Sequence, residues 1–124
     1  MRNTVPEISR LEGIEVARKA VEVASDKQAG NIVLLDVREL CGFADYFVIC
    51  AGDSQRQVRT IYDEIQQELK KENVRPHHHE GTPDSGWLLI DYGDVIVHIF
   101  DTAQRDFYKL DELWDKAGTV LRIQ

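Results

Sequence analysis

The chain is poor in the residues that staple small secreted domains: it has two cysteines, Cys41 and Cys50, and they form no C-x-x-C pair. A disulfide framework is therefore not the basis of the fold, and Cys50, set inside an apolar run, reads as a small hydrophobe in a reducing compartment. Proline is scarce too, at three residues, and no stretch is of low complexity or repeated. The 124 residues thus read as one domain, with a core from about residue 9 to 116 and residues 1–8 outside it. Long hydrophobic runs are also missing. Nothing approaches the roughly 20 apolar residues that cross a bilayer, and no basic-then-apolar leader is present, which predicts a cytoplasmic protein. Positive charge is the last shortage: 15 Lys and Arg stand against 22 Asp and Glu, a net charge of −7. That field disfavours DNA and leaves RNA at most a minor contact, while it attracts a basic protein surface.

Catalytic signatures are equally thin. There is no G-x-S-x-G elbow, no Walker-type phosphate loop and no G-x-G-x-x-G fingerprint. One enzymatic alternative survives, a nucleotidyltransferase-like site in which Gly52 and Ser54 at a helix start hold phosphate and Asp91 with Asp94 hold metal. It is a poor match, because two carboxylates on one strand face need a spacing of two, and Asp53 places negative charge where a triphosphate would lie. The run His77-His78-His79-Glu80 could supply metal ligands, but neighbours in an extended chain point opposite ways and lack tetrahedral spacing. No cofactor or metal is expected, and a solvated loop, at most weakly pH-sensitive, is the simpler reading.

What is present is strong periodicity. Leu11, Ile14, Ala17, Val21 and Ala24 recur at spacings of three and four, predicting a helix from Ser9 to about Ala29 that Gly30 ends. Strands follow over Ile32 to Asp36 and Asp45 to Ala51, the second apolar at nearly every position and so covered on both faces and central to the sheet. Ser54 and Gln57 form a capping-box pattern ahead of a helix whose stripe is Val58, Ile61, Tyr62, Ile65 and Leu69. Asn73 to Pro83 reads as an irregular polar loop. Asp101 can cap a short helix through Phe107 and Asp111 another through Asp115, with an edge strand over Val120 to Ile123. The order predicts an α+β sandwich, a mixed β-sheet flanked by helices.

The sharpest local signal is Trp87 to Tyr92 and Val95 to Phe100, joined by Gly93-Asp94, which suits a type II′ hairpin. With a two-residue turn, Tyr92 faces Val95, and the register assigns every other side chain. Leu88, Ile90 and Tyr92 with Val95, Val97 and Ile99 make a continuous apolar surface for helices to cover. Trp87, Leu89 and Asp91 share the other face with Ile96, His98 and Phe100. An indole, a carboxylate and an imidazole on one apolar face suit recognition, although large aromatics are as often simply core.

An ordered set of residues then looks familiar: Asp45-Tyr46-Phe47-Val48-Ile49, Gly52, Ser54, Glu80-Gly81, the string from Trp87 through Phe100, Arg105, Tyr108 and Leu113-Trp114. From about Leu11 to Trp114 it resembles the Iojap, or ribosomal silencing factor, family. The resemblance implies a nucleotidyltransferase-like architecture without catalytic carboxylates, often dimeric, that represses translation. Such factors bind large-subunit ribosomal protein L-fourteen and block the small subunit from joining when nutrients are short. Carried over residue by residue, the partner-binding positions are Trp87, Asp91, Asp94, His98, Glu80, Arg105 and Tyr92, with Trp87 as the apolar anchor. Gly81 and Gly93 are structural, and Tyr108 and Trp114 are packing residues. The triple histidine ahead of Glu80 is where the chain departs from the usual pattern. A dimeric adaptor for another basic protein is the remaining alternative.

Overall fold

A computed structural model describes residues 11–102 and 116–123 of the protein. Helix α1, Gly13–Asp26, is set by a reciprocal cap between Glu12 and Glu15 and presents Val16, Ala17, Ala20, Val21, Val23 and Ala24 inward. All six residues of that stripe are alanine or valine, which lets it lie close against its neighbours. It stops earlier than glycine alone predicts. The chain leaves the helix through Lys27, and Gln28 takes the left-handed conformation at φ 62. Gly30 is instead the first residue of β1, Gly30–Asp36.

Strand β2, Tyr46–Gly52, is followed by α2, Gln55–Lys71. Ser54 caps α2, its Oγ accepting from the Gln57 amide at 3.1 Å. The other half of the expected box is rearranged: the Gln57 carboxamide oxygen accepts from Asp53 N at 2.6 Å, and its nitrogen donates to the carbonyls of Lys27 and Gln28. One side chain thereby ties the start of α2 to the end of α1. Val58, Ile61, Ile65 and Leu69 of α2 are completely buried, each contributing about 1.5–3 kcal/mol of apolar burial.

The segment read as an irregular loop contains a strand. Residues His78–Thr82 form β3, followed by a 3-10 turn at Pro83–Ser85. All five side chains of β3 are exposed, so neither apolar alternation nor burial betrays it, and its backbone pairs with β4. Gly81 sits at φ 88, where an added Cβ would strike the Trp87 carbonyl.

Strands β4, Trp87–Asp91, and β5, Val95–Asp101, pair antiparallel with Trp87 opposite Phe100 and Asp91 opposite Ile96. Tyr92 N donates to Val95 O at 2.8 Å and Gly93 lies at φ 90, so the two-residue turn and its register are as the sequence predicts. Strand β6, Gly118–Ile123, pairs with β1. The six strands run β3-β4-β5-β2-β1-β6, antiparallel except for the central pair β2 and β5. The result is a mixed six-stranded α+β sheet with α1 and α2 on one face. That face buries Leu34, Val48, Cys50, Leu88, Ile90 and Val97 against the helices. The opposite face builds a second cluster from Val33, Leu35, Val37, Ile49, Ile96 and Phe100. Both faces of β2 are therefore covered. The predicted helices after Asp101 lie outside the described residues, apart from Asp101 itself, which ends β5.

Candidate docking face

The register writes the second face of the sheet as rows of side chains. Thr82, Trp87, Phe100 and Ala51 make one row; Glu80, Leu89, His98 and Ile49 the next; His78, Asp91, Ile96 and Phe47 the third. Toward β1 these rows are buried, whereas Phe47, Trp87, Leu89 and Asp91 are half-buried and His78, Glu80 and Thr82 of the edge strand are exposed. An apolar centre beside a polar, acidic rim is an arrangement that protein interfaces share.

His98 organises the centre. Its ring lies 5.0 Å from Phe47, 6.5 Å from Trp87 in a stacked arrangement, and 6.1 Å from Phe100 at an interplanar angle of 5°. The Trp87 indole N–H donates to His98 Nδ1 at 3.5 Å, at the outer limit of a hydrogen bond. Nδ1 is then the acceptor and Nε2 carries the proton. The residue keeps some exposed surface, yet Nε2 is shut off from water and finds no acceptor among the described residues. Burial pushes its pKa down to about 4. The imidazole is thus neutral and lies among the Phe47, Trp87 and Phe100 rings, so it contributes to the face by holding Trp87 more than by offering a charge.

The acidic residues divide. The Asp91 carboxylate accepts from Gly93 N at 2.7 Å, which braces the hairpin turn and leaves the half-buried side chain other acceptor sites. Glu80 is exposed and lies 2.8 Å from His78 Nε2. Asp94 is exposed at the turn, but off the face: its side chain lies against Gly13, where a Cβ would come within 3.3 Å. There it meets the positive end of the α1 dipole. Tyr92 points to the helix side and is 8% exposed. Burial raises its hydroxyl pKa, and that hydroxyl has no partner among the described residues. Tyr92 is therefore a core residue and not part of the exposed face. Arg105 lies outside the described residues.

The three histidines part ways. His77 packs its ring against Gly93, His78 joins Glu80 on the candidate face, and His79 meets Tyr62 edge-on at 6.2 Å on the helix side. Among the described residues no three His, Cys, Asp or Glu side chains converge on a metal-sized site. The nucleotidyltransferase-like alternative meets a geometric obstacle. Gly52 ends β2, while Asp94 O accepts from Asp45 N and Tyr46 N at the strand's beginning. Seven residues of strand, about 20 Å, separate the glycine-serine pair from the aspartates. No described helix is long and apolar enough to cross a membrane.

Sequence reasoning passed over Phe43 and Leu40, which stand out in the loop ahead of β2 at 72% and 45% exposure. The only signal for them was an aromatic in a short glycine-containing loop.

The described residues thus form a mixed sheet with helices on one face and an apolar and acidic patch on the other, a domain of the α+β class. Comparison places that domain. The family model described as "ribosomal silencing factor during starvation" matches residues 10–124, and the chain belongs to this family. It is 37% identical over 106 residues to ribosomal silencing factor RsfS of Halalkalibacterium halodurans, covering 86% of this chain and 91% of that one. Against protein Iojap, chloroplastic, of Arabidopsis thaliana it is 32% identical, covering 88% of this chain and 45% of that one. A crystal structure of a Chromobacterium violaceum protein superposes with a TM-score of 0.80 at 32% identity, covering 90% and 94% of the two chains. One from Bacillus halodurans gives 0.76 at 34%, covering 87% and 98%.

Proposed function

We propose that the protein is a translational repressor that binds the large ribosomal subunit and acts by contact, without catalysis. In this reading the rows centred on Trp87 and Leu89 dock on ribosomal protein L-fourteen, and the bound protein keeps the small subunit from joining. The carrying observation is the half-exposed indole, braced by His98, next to Glu80 and Asp91 on a chain of net charge −7. A preordered aromatic gives affinity at little entropic cost, and an acidic rim steers a basic protein surface toward it. Family membership and the names of the relatives support the ribosomal partner. We further propose a cytoplasmic homodimer in the free state, which a mass measurement in solution tests.

The decisive experiment is co-sedimentation with purified large subunits at low salt, alongside a subunit-joining assay. Trp87→Ala is expected to weaken binding by at least about 1 kcal/mol while the domain stays folded. Wild-type protein that neither sediments with large subunits nor slows joining would overturn the reading. A Trp87→Ala variant that unfolds would move that side chain from the interface to the core.

A further inference from the structure

The loop of residues 37–45 holds its shape. Val37 N donates to Asp45 O at 2.9 Å, closing the loop mouth, and Leu40 N and Cys41 N both donate to Val37 O. Val37, Cys41 and Ala44 turn inward onto the cluster beneath the candidate docking face. Leu40 and Phe43 are consequently turned out, and Phe43, at 72% exposure, is the most exposed large apolar side chain among the described residues. Exposed phenylalanine on a pinned loop gains nothing for the fold. It does cost a partner little to immobilise.

Two further observations say what meets it. The loop is continuous with the docking face, because Ala44 and Cys41 pack on the same cluster as Phe47 and Ile96. The local charge is modestly negative: Asp36, exposed Glu39 and half-buried Asp45 stand against Arg38, whose guanidinium is held by Asp36 at 2.6 Å and lies over the Tyr46 ring, and Lys116, which lines the same cleft as Leu40. Phe43 therefore repeats at one end of the face what Trp87 does at the other, an aromatic in an acidic setting. From Asp91 to Trp87 the face already runs about 15 Å along the strand. A face of that length with the loop at its Asp91 end fits within one interface of ordinary size, about 800 Å² per partner.

We infer that Phe43, assisted by Leu40, is a second apolar anchor for the same basic large-subunit protein surface that Trp87 engages; the inference rests on the proposed function. The test compares full-length wild type, Phe43→Ala, Phe43→Trp, Leu40→Ala and Trp87→Ala in co-sedimentation with purified large subunits, each with its thermal midpoint and solution mass. Phe43→Ala should bind roughly fivefold to thirtyfold more weakly, with its midpoint unchanged because the side chain is already in water. Phe43→Trp should bind like wild type, and Leu40→Ala should show a smaller loss. Wild-type affinity in both alanine variants, with Trp87→Ala impaired, overturns this inference and leaves the proposed function standing. Phe43→Ala that becomes monomeric yet binds subunits normally also overturns it, assigning the loop to a second copy of the chain. Absence of binding by the wild type removes the proposed function and this anchor together.

Discussion

A histidine flanked by Phe47, Trp87 and Phe100 is a poor proton carrier. His98 has its folded pKa near 4 because charging it would strand a cation among rings, whereas in the unfolded chain it titrates near 6.5. As pH falls the unfolded state takes up this proton first, so the stability His98 contributes is complete above about pH 6.5 and is lost between 6.5 and 4. Urea unfolding at pH 7 and pH 5 should show the consequence: the loss on acidification should be smaller in His98→Phe than in wild type by on the order of 2 kcal/mol. Equal losses would mean that the ring reaches water. The same residue measures what a sequence can reveal about a site. Strand alternation placed His98 beside Trp87 and Leu89, but it could not show that burial among three rings keeps the imidazole neutral. Tyr92 was misassigned for a related reason. A family pattern marks positions, and the pleat decides which of them face outward.

Among the elements, α2 and the hairpin were legible because their determinants are local: a serine cap, a stripe at helical spacing, a glycine where the turn needs positive φ. Removing the cap by Ser54→Ala should cost about 1 kcal/mol in denaturant unfolding. A cost near zero would show that Gln57 and Asp53 alone hold the helix start. Strand β3 was illegible because its side chains are all in water, so its existence depends on β4 offering a free edge. That dependence makes Gly81 a sharp test. Gly81→Ala should abolish amide protection over residues 78–82 while α2 keeps its protection, since the new Cβ has no room beside the Trp87 carbonyl. Retained protection would show that the backbone shifts to accommodate the Cβ, and would refute the tight fit at Gly81. The loop of residues 37–45 escaped for the opposite reason, since its outward phenylalanine looked like any other apolar residue until the inward neighbours were known.

At the scale of the whole molecule, charge was the most legible property and site geometry the least. A net charge of −7 predicts that association with a basic partner weakens as salt rises, with the rate of encounter affected more than that of release. Glu80→Lys, on the exposed edge strand, should reduce affinity and flatten that salt dependence without altering stability. Unchanged salt dependence would take β3 out of the contact. The alternation of helices and strands announced an α+β sheet, but no local pattern announces that β2 and β5 run parallel at its centre, because that pairing joins residues distant in sequence.

This pairing, Tyr46 with Val95 through Gly52 with Asp101, also constrains how the polypeptide is born. A nascent chain halted after α2 has made the strand destined for the middle of the sheet but not the neighbour that shelters it, and its naked amides and apolar side chains invite self-association. Resistance to protease should therefore arrive abruptly, when residue 101 clears the exit tunnel, and a polypeptide ending at residue 92 should precipitate instead of persisting as half a protein.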